Sequence, residues 1–135
     1  MAAPDPLAGK RLVVAVQGLI HDDSLLVPAY VVGPHGRVRV VFTLDTGAFE
    51  PLLYSPAATA AGLPHGEALE VGGVGGTSAA YRSTFALELG GVRIEDLPCV
   101  VDDSSPSPLL GYRGFEDLGY TAVVGYKTGV FALYR

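Results

Sequence analysis

Val40-Val41-Phe42-Thr43-Leu44-Asp45-Thr46-Gly47-Ala48 is an apolar run that ends abruptly in a carboxylate, a hydroxyl and a glycine. β-Branched and aromatic residues over 40–44 predict a strand. That strand delivers Asp45 to a partly buried place, where a carboxylate is costly unless something satisfies or uses it. Asp-Thr-Gly alone is a weak signal, because all three are common turn residues. Its place at the end of an apolar strand raises the odds that the Asp45 carboxylate is put to use.

Working outward, the chain is dense in β signals. Arg11–Gln17 and Leu25–Val32 read as strands. The turn cluster Gly33-Pro34-His35-Gly36 joins the second of these to 37–44 as a hairpin. Ser55-Pro56-Ala57-Ala58-Thr59-Ala60-Ala61-Gly62 predicts a short helix, with Ser55 as N-cap, Pro56 at the first helical position and Gly62 at the exit. Strands over 67–71 and 77–89 flank the glycine cluster Gly72-Gly73-Val74-Gly75-Gly76. Gly90-Gly91 turns the chain into a strand over 92–101. A polar Ser/Pro loop covers 102–108, one or two helical turns cover 113–118, and a hairpin covers 120–134. The pattern predicts an all-β domain, a closed or partly open barrel with one or two short helices. Residues 1–9 read as a flexible arm and 10–135 as a single domain.

Bulk composition agrees. A chain of 135 residues fits one domain and buries about two-thirds of its unfolded surface. Apolar residues are 49% and charged residues 17%, which excludes disorder by composition. Eighteen glycines and ten prolines imply many turns and short elements. A net charge of −5 offers no basic stripe for phosphates, so no nucleic-acid partner is expected. No apolar run reaches the roughly 18 residues of a membrane helix. A lone cysteine, Cys99, allows no intrachain disulfide and suggests a reducing, cytoplasmic setting. Within Leu97-Pro98-Cys99-Val100-Val101 it reads as an inert core residue. His21-Asp22-Asp23 shows no ligand spacing with His35 or His65, so no metal and no cofactor are expected.

Asp45-Thr46-Gly47-Ala48 resembles the active-site loop of the retropepsin-like aspartic proteases. Two further features match in order. Gly72–Gly76 resembles the glycine-rich flap tip, and Leu109-Leu110-Gly111 resembles the apolar-apolar-glycine signature packed beneath the active-site loop. The helical segment after Gly111 falls where that family has a short helix. The resemblance spans about residues 12–134, and the longer segment over 120–134 is more similar to cellular and bacterial members than to viral ones. It implies an aspartic endopeptidase that splits peptides with a water molecule held between two carboxyl groups sharing one proton. Carboxylates that close cannot both be ionised. One Asp-Thr-Gly per chain then implies a C2 homodimer with Asp45 near the axis. Thr46 would brace the two loops, and Gly47 would bring its N–H to the carboxylate. Ala48, Phe49, Gly72, Gly73, Val74, Gly75 and Gly76 would line an extended peptide substrate.

The chain departs from the family pattern at two places. An acidic residue often follows Asp-Thr-Gly-Ala, and an Arg often follows the later glycine. Here those positions hold Phe49 and Tyr112. Glu50 and Arg113 stand one residue further on as a candidate substitute pair. The departure bears on substrate specificity and motivates the alternative, a catalytically weak peptide-binding or dimerisation module of the same fold. A small-ligand barrel would leave the order of the three motifs unexplained.

Overall fold

A computed structural model of the chain describes residues 4–135 except 46, 49, 74, 75 and 103–106, and omits the side chains of 71–78. Eleven strands and two short helices follow in the order β1 Leu12–Gln17, β2 Leu19–His21, β3 Ser24–Gly33, β4 Gly36–Leu44, β5 Leu52–Leu53, α1 Ser55–Ala61, β6 Ala68–Gly73, β7 Gly76–Leu89, β8 Val92–Asp102, β9 Leu109–Leu110, α2 Arg113–Asp117, β10 Thr121–Gly125 and β11 Val130–Tyr134. The large sheet runs β2-β3-β4-β9-β5-β8-β7-β6, and a second pairing of β3 with β7 closes it into a ring. At that seam Val31 stands opposite Leu87. Closure satisfies the edges that a sheet of this length would otherwise expose. A smaller sheet, β1-β11-β10, packs beside the barrel.

Strand alternation builds the core. β3 buries Leu25, Val27, Ala29 and Val31 on one face, and β4 buries Val40, Phe42 and Leu44. Leu53, Leu87, Leu97, Leu110 and Phe115 complete the interior with essentially no exposure. Phe131 and Leu133 of β11 belong to the same cluster, so the small sheet shares one core with the barrel. The Phe115 and Phe131 rings lie 6.0 Å apart, joining α2 to that sheet.

Local signals are read correctly in outline and wrongly in three details. Helix α1 begins one residue earlier in role than expected: Tyr54 is its N-cap, without a side-chain bond, and Ser55 is already helical. Tyr54 packs against the core, so burial rather than capping sets the start. Gly62 does close the helix in the left-handed region at φ 72°. Strands β6 and β7 run further into the glycine cluster than expected, to the pair Gly73 and Gly76. Three short strands, β2, β5 and β9, carry no periodicity of their own and are created by their neighbours. Asp22 and Asp23, both at positive φ, form the tight turn between β2 and β3.

Candidate active site

Asp45 follows directly on β4, whose inward residues are Val40, Phe42 and Leu44. The parallel pairing of β4 with β9 places Thr43 beside Leu109 and Leu44 beside Leu110. The Thr43 N–H donates to Pro108 O at 2.9 Å, and the Asp45 N–H donates to Leu110 O at 3.2 Å. The backbone of Asp45 is thereby fixed from a segment far away in sequence. Past Asp45 the chain turns back: the Ala48 N–H donates to Asp45 O at 3.2 Å. The Gly47 N–H donates to Asp45 Oδ1 at 2.9 Å, an i to i+2 bond typical of aspartate turns. A Cβ at residue 47 would stand 3.3 Å from that oxygen, so glycine gives the N–H its close approach. Asp45 itself is half-buried, reachable from solvent on one side.

Gly111 holds the loop from below. A Cβ there would meet Ala48 O at 2.5 Å, Ala48 C at 2.9 Å and Glu50 O at 3.0 Å. Two backbone segments cross at van der Waals contact, and only glycine allows it. The chain then enters α2, which drives Phe115 into the core, while Gly114 faces Leu97. β5 is wedged between β9 and β8, with Leu52 opposite both Leu109 and Val100. The Val100 N–H donates to Pro51 O at 2.9 Å, which anchors the far end of the loop that carries Asp45.

Glu50 pairs with Arg82. Nη1 of Arg82 lies 2.9 and 3.1 Å from the two Glu50 carboxylate oxygens. Arg82 stands on β7 near the base of the β6–β7 hairpin, where Gly66 N–H donates to Arg82 O and Arg82 N–H donates to Glu67 O. The loop that carries Asp45 is therefore tied to the β6–β7 hairpin, whose strands carry Gly72, Gly73 and Gly76. Sequence reading offered Arg113 as the partner of Glu50, and nothing local signals Arg82, 32 positions away.

The other candidates divide. Ala48 is half-buried between Asp45 and Gly111. Gly72, Gly73 and Gly76 lie on the backbone of the hairpin, with Gly72 opposite Thr77. Thr46, Phe49, Val74 and Gly75 lie outside the described residues. Cys99 is fully buried, and burial, with a smaller contribution from the Glu50 charge, pushes its thiol up to about 12. A thiol so reluctant to ionise is no nucleophile. His21 sits 3.2 Å from Asp22 on an exposed turn, and His65 stacks on Tyr81. Among the described residues no helix is long and apolar enough to cross a membrane.

Comparison with known proteins bears on this arrangement. Comparison with curated proteins finds no match. Among solved structures, a retropepsin-like aspartic protease from Rickettsia conorii superposes with a TM-score of 0.63 at 17% identity, covering 93% of this chain and 98% of that one. The EIAV protease in complex with an inhibitor superposes with a TM-score of 0.55 at 22% identity, covering 76% of this chain and 95% of that one. Identities this low speak to the fold. The aspartyl protease family profile matches residues 27–113, from the middle of β3 through Asp45 and Gly111 to the start of α2. With that match over more than half its length, the chain belongs to the aspartyl protease family, and its fold is that of the retropepsin-like proteases.

Proposed function

We propose that the chain is an aspartic endopeptidase that works as a C2 homodimer, with one Asp45 from each copy forming the catalytic pair. The observation that carries this reading is the setting of Asp45. It is half-buried at the end of β4, pinned through its backbone to Leu110, with Oδ1 engaged by the Gly47 N–H. One chain supplies a single such carboxylate, so a second copy supplies the other.

The chemistry follows from two carboxyl groups sharing one proton. The ionised carboxylate takes a proton from water while the water oxygen bonds to the scissile carbonyl carbon. The protonated carboxyl gives its proton to the carbonyl oxygen, so the tetrahedral intermediate is neutral. The intermediate then returns that proton to a carboxylate, the amide nitrogen takes the other, and the C–N bond breaks. The protein contributes orientation and proton transfer and no covalent bond. An extended peptide is the fitting substrate, since a strand is the conformation a hairpin can cover by backbone pairing. The β6–β7 hairpin, paired as far as Gly73 and Gly76, is the segment that would close over it.

The test is cleavage of a diverse peptide mixture between about pH 4 and 7 over a series of enzyme concentrations. Activity is expected to be highest on the acid side and to rise faster than linearly with protein at low concentration. Asp45→Asn is expected to lose activity by roughly 10³-fold or more without change in mass. Equal cleavage by the variant would remove the assignment. No cleavage by a well-folded dimer would turn it to a peptide-binding module.

A further inference from the structure

On the outer face of the barrel Tyr30 of β3 stands between two neighbours, Arg39 across on β4 and Glu88 across on β7. Residues directly opposite on paired strands share a face, and so do residues two apart on one strand. Arg37 therefore joins the same group. Its guanidinium lies over the Tyr30 ring, with Cζ 3.8 Å from the centroid, and its Nη2 lies 3.5 Å from Glu88 Oε1. A ring and a carboxylate thus hold Arg37 in place. Arg39 has no such support. Its guanidinium is exposed and has no hydrogen bond, ion pair or ring contact among the described residues.

These side chains border a groove of about 320 Å³. Val16 and Pro28 give it apolar walls, and the turn Gly90-Gly91 closes one end. A Cβ at residue 90 would stand 2.8 Å from Val14 Cγ2 and 3.2 Å from Val16 Cγ2, so that turn is seated against β1. Over residues 30–32 the floor strand β3 is paired on both sides, with β4 and with β7. Its backbone groups are spent there, and a ligand is recognised by side chains. Other grooves lack this character. The one beside α2 sets Lys10 against Glu116, and the one beside His65 and Tyr81 is lined by no Arg or Lys.

Charge and shape together select the ligand. Arg37 and Arg39 against Glu88 leave a single positive charge at the groove, on a chain whose net charge is −5. A polyanion would be repelled by Glu88 and by the rest of the surface, whereas one carboxylate balances the site. The planar fork of a guanidinium matches a carboxylate with two parallel bonds. Tyr30, Pro28 and Val16 offer cover to an apolar group attached beside it. We propose that this groove is an accessory peptide-binding site, which holds one carboxylate on Arg39 and the adjoining apolar side chain against Tyr30 and Pro28. An Asp or Glu side chain and a chain's C-terminus supply the same carboxylate. That the ligand is a peptide rests on the proposed function, and that it carries a carboxylate rests on Arg39.

Three acetylated peptides test the site at pH 7: Phe-Glu-Phe amide, Phe-Ala-Phe with a free C-terminus, and the neutral Phe-Gln-Phe amide. Each would be titrated into the isotope-labelled full chain and followed by nuclear magnetic resonance. A carboxylate peptide is expected to move the signals of Tyr30, Arg39 and Gly90, and the neutral peptide to leave them in place. A response to one carboxylate peptide and not the other identifies which source the groove takes. Arg39→Gln is expected to raise Kd roughly tenfold. Glu88→Gln removes the like charge and is expected to lower Kd several-fold, a gain that damage to the fold would not produce. Binding should also weaken as salt is added. Equal shifts with the neutral peptide, or an unchanged Kd in a folded Arg39→Gln, would overturn the site. Peptide cleavage at acid pH separates the two claims. A chain that binds carboxylates at Arg39 but cleaves nothing sinks the protease reading alone, whereas a chain that cleaves while these signals stay fixed sinks the accessory site alone.

Discussion

At the scale of single residues, Gly111 and Cys99 make opposite demands on space and charge. Any side chain at 111 runs into the backbone of Ala48 and Glu50. Backbone cannot rotate away as a side chain can, so Gly111→Ala is expected to cost about 1–3 kcal/mol. It should also displace the Asp45 loop. Thermal unfolding and peptide cleavage together check this, and a variant with unchanged stability and rate would show that the crossing is looser than described. Cys99 has its thiol pushed up to about 12 from 9.0, first by burial and then by Glu50. Its folded value lies above its unfolded one, so the contribution to stability is complete below about pH 9 and is lost as pH rises from there towards 12. The native thiol is expected to ignore a disulfide reagent at pH 8 and to react fully in denaturant. Rapid native labelling would contradict its burial.

At the scale of elements, the Glu50–Arg82 pair couples a loop to a hairpin. The Arg82 side chain is 49% exposed and Glu50 30%, so solvent screens the pair, and it adds less than about 1 kcal/mol to stability. Its consequence is geometric. Arg82→Ala is expected to leave the melting temperature nearly unchanged while lowering kcat/KM several-fold, with partial recovery in Arg82→Lys. A rate that follows stability alone would make the pair a surface ornament. The elements themselves were legible to different degrees. β3 and β4 announce themselves as apolar, β-branched runs on either side of the turn cluster 33–36. β5 and β9 are two residues each and have no period to read. They exist because the chain crosses between longer strands and takes up their bonds. Those same two strands fix Asp45, so the support of the site was the least legible part of it.

At the scale of the whole molecule, one ring of strands carries the stability. Its seam joins β3 to β7, where Leu87, fully buried, stands opposite Val31. Leu87→Ala is expected to cost about 2–5 kcal/mol, a large share of the roughly 5–15 kcal/mol of a typical domain. Denaturant unfolding should remain a single transition with a lower midpoint, because barrel and small sheet share one core. Two separated transitions would instead mean that the small sheet unfolds alone.

The sequence by itself determined which residue types stand in which order along the chain. An apolar strand ending in Asp45, a glycine cluster and Leu109-Leu110-Gly111 are local patterns, set by side-chain type and spacing. They sufficed for the fold class and for the candidate carboxylate. Only the tertiary structure decided what holds that carboxylate: Leu110 against its backbone, Gly111 beneath its loop, and Arg82 on Glu50. These contacts join residues far apart in the chain, and no local propensity encodes a partner that the fold has yet to bring near.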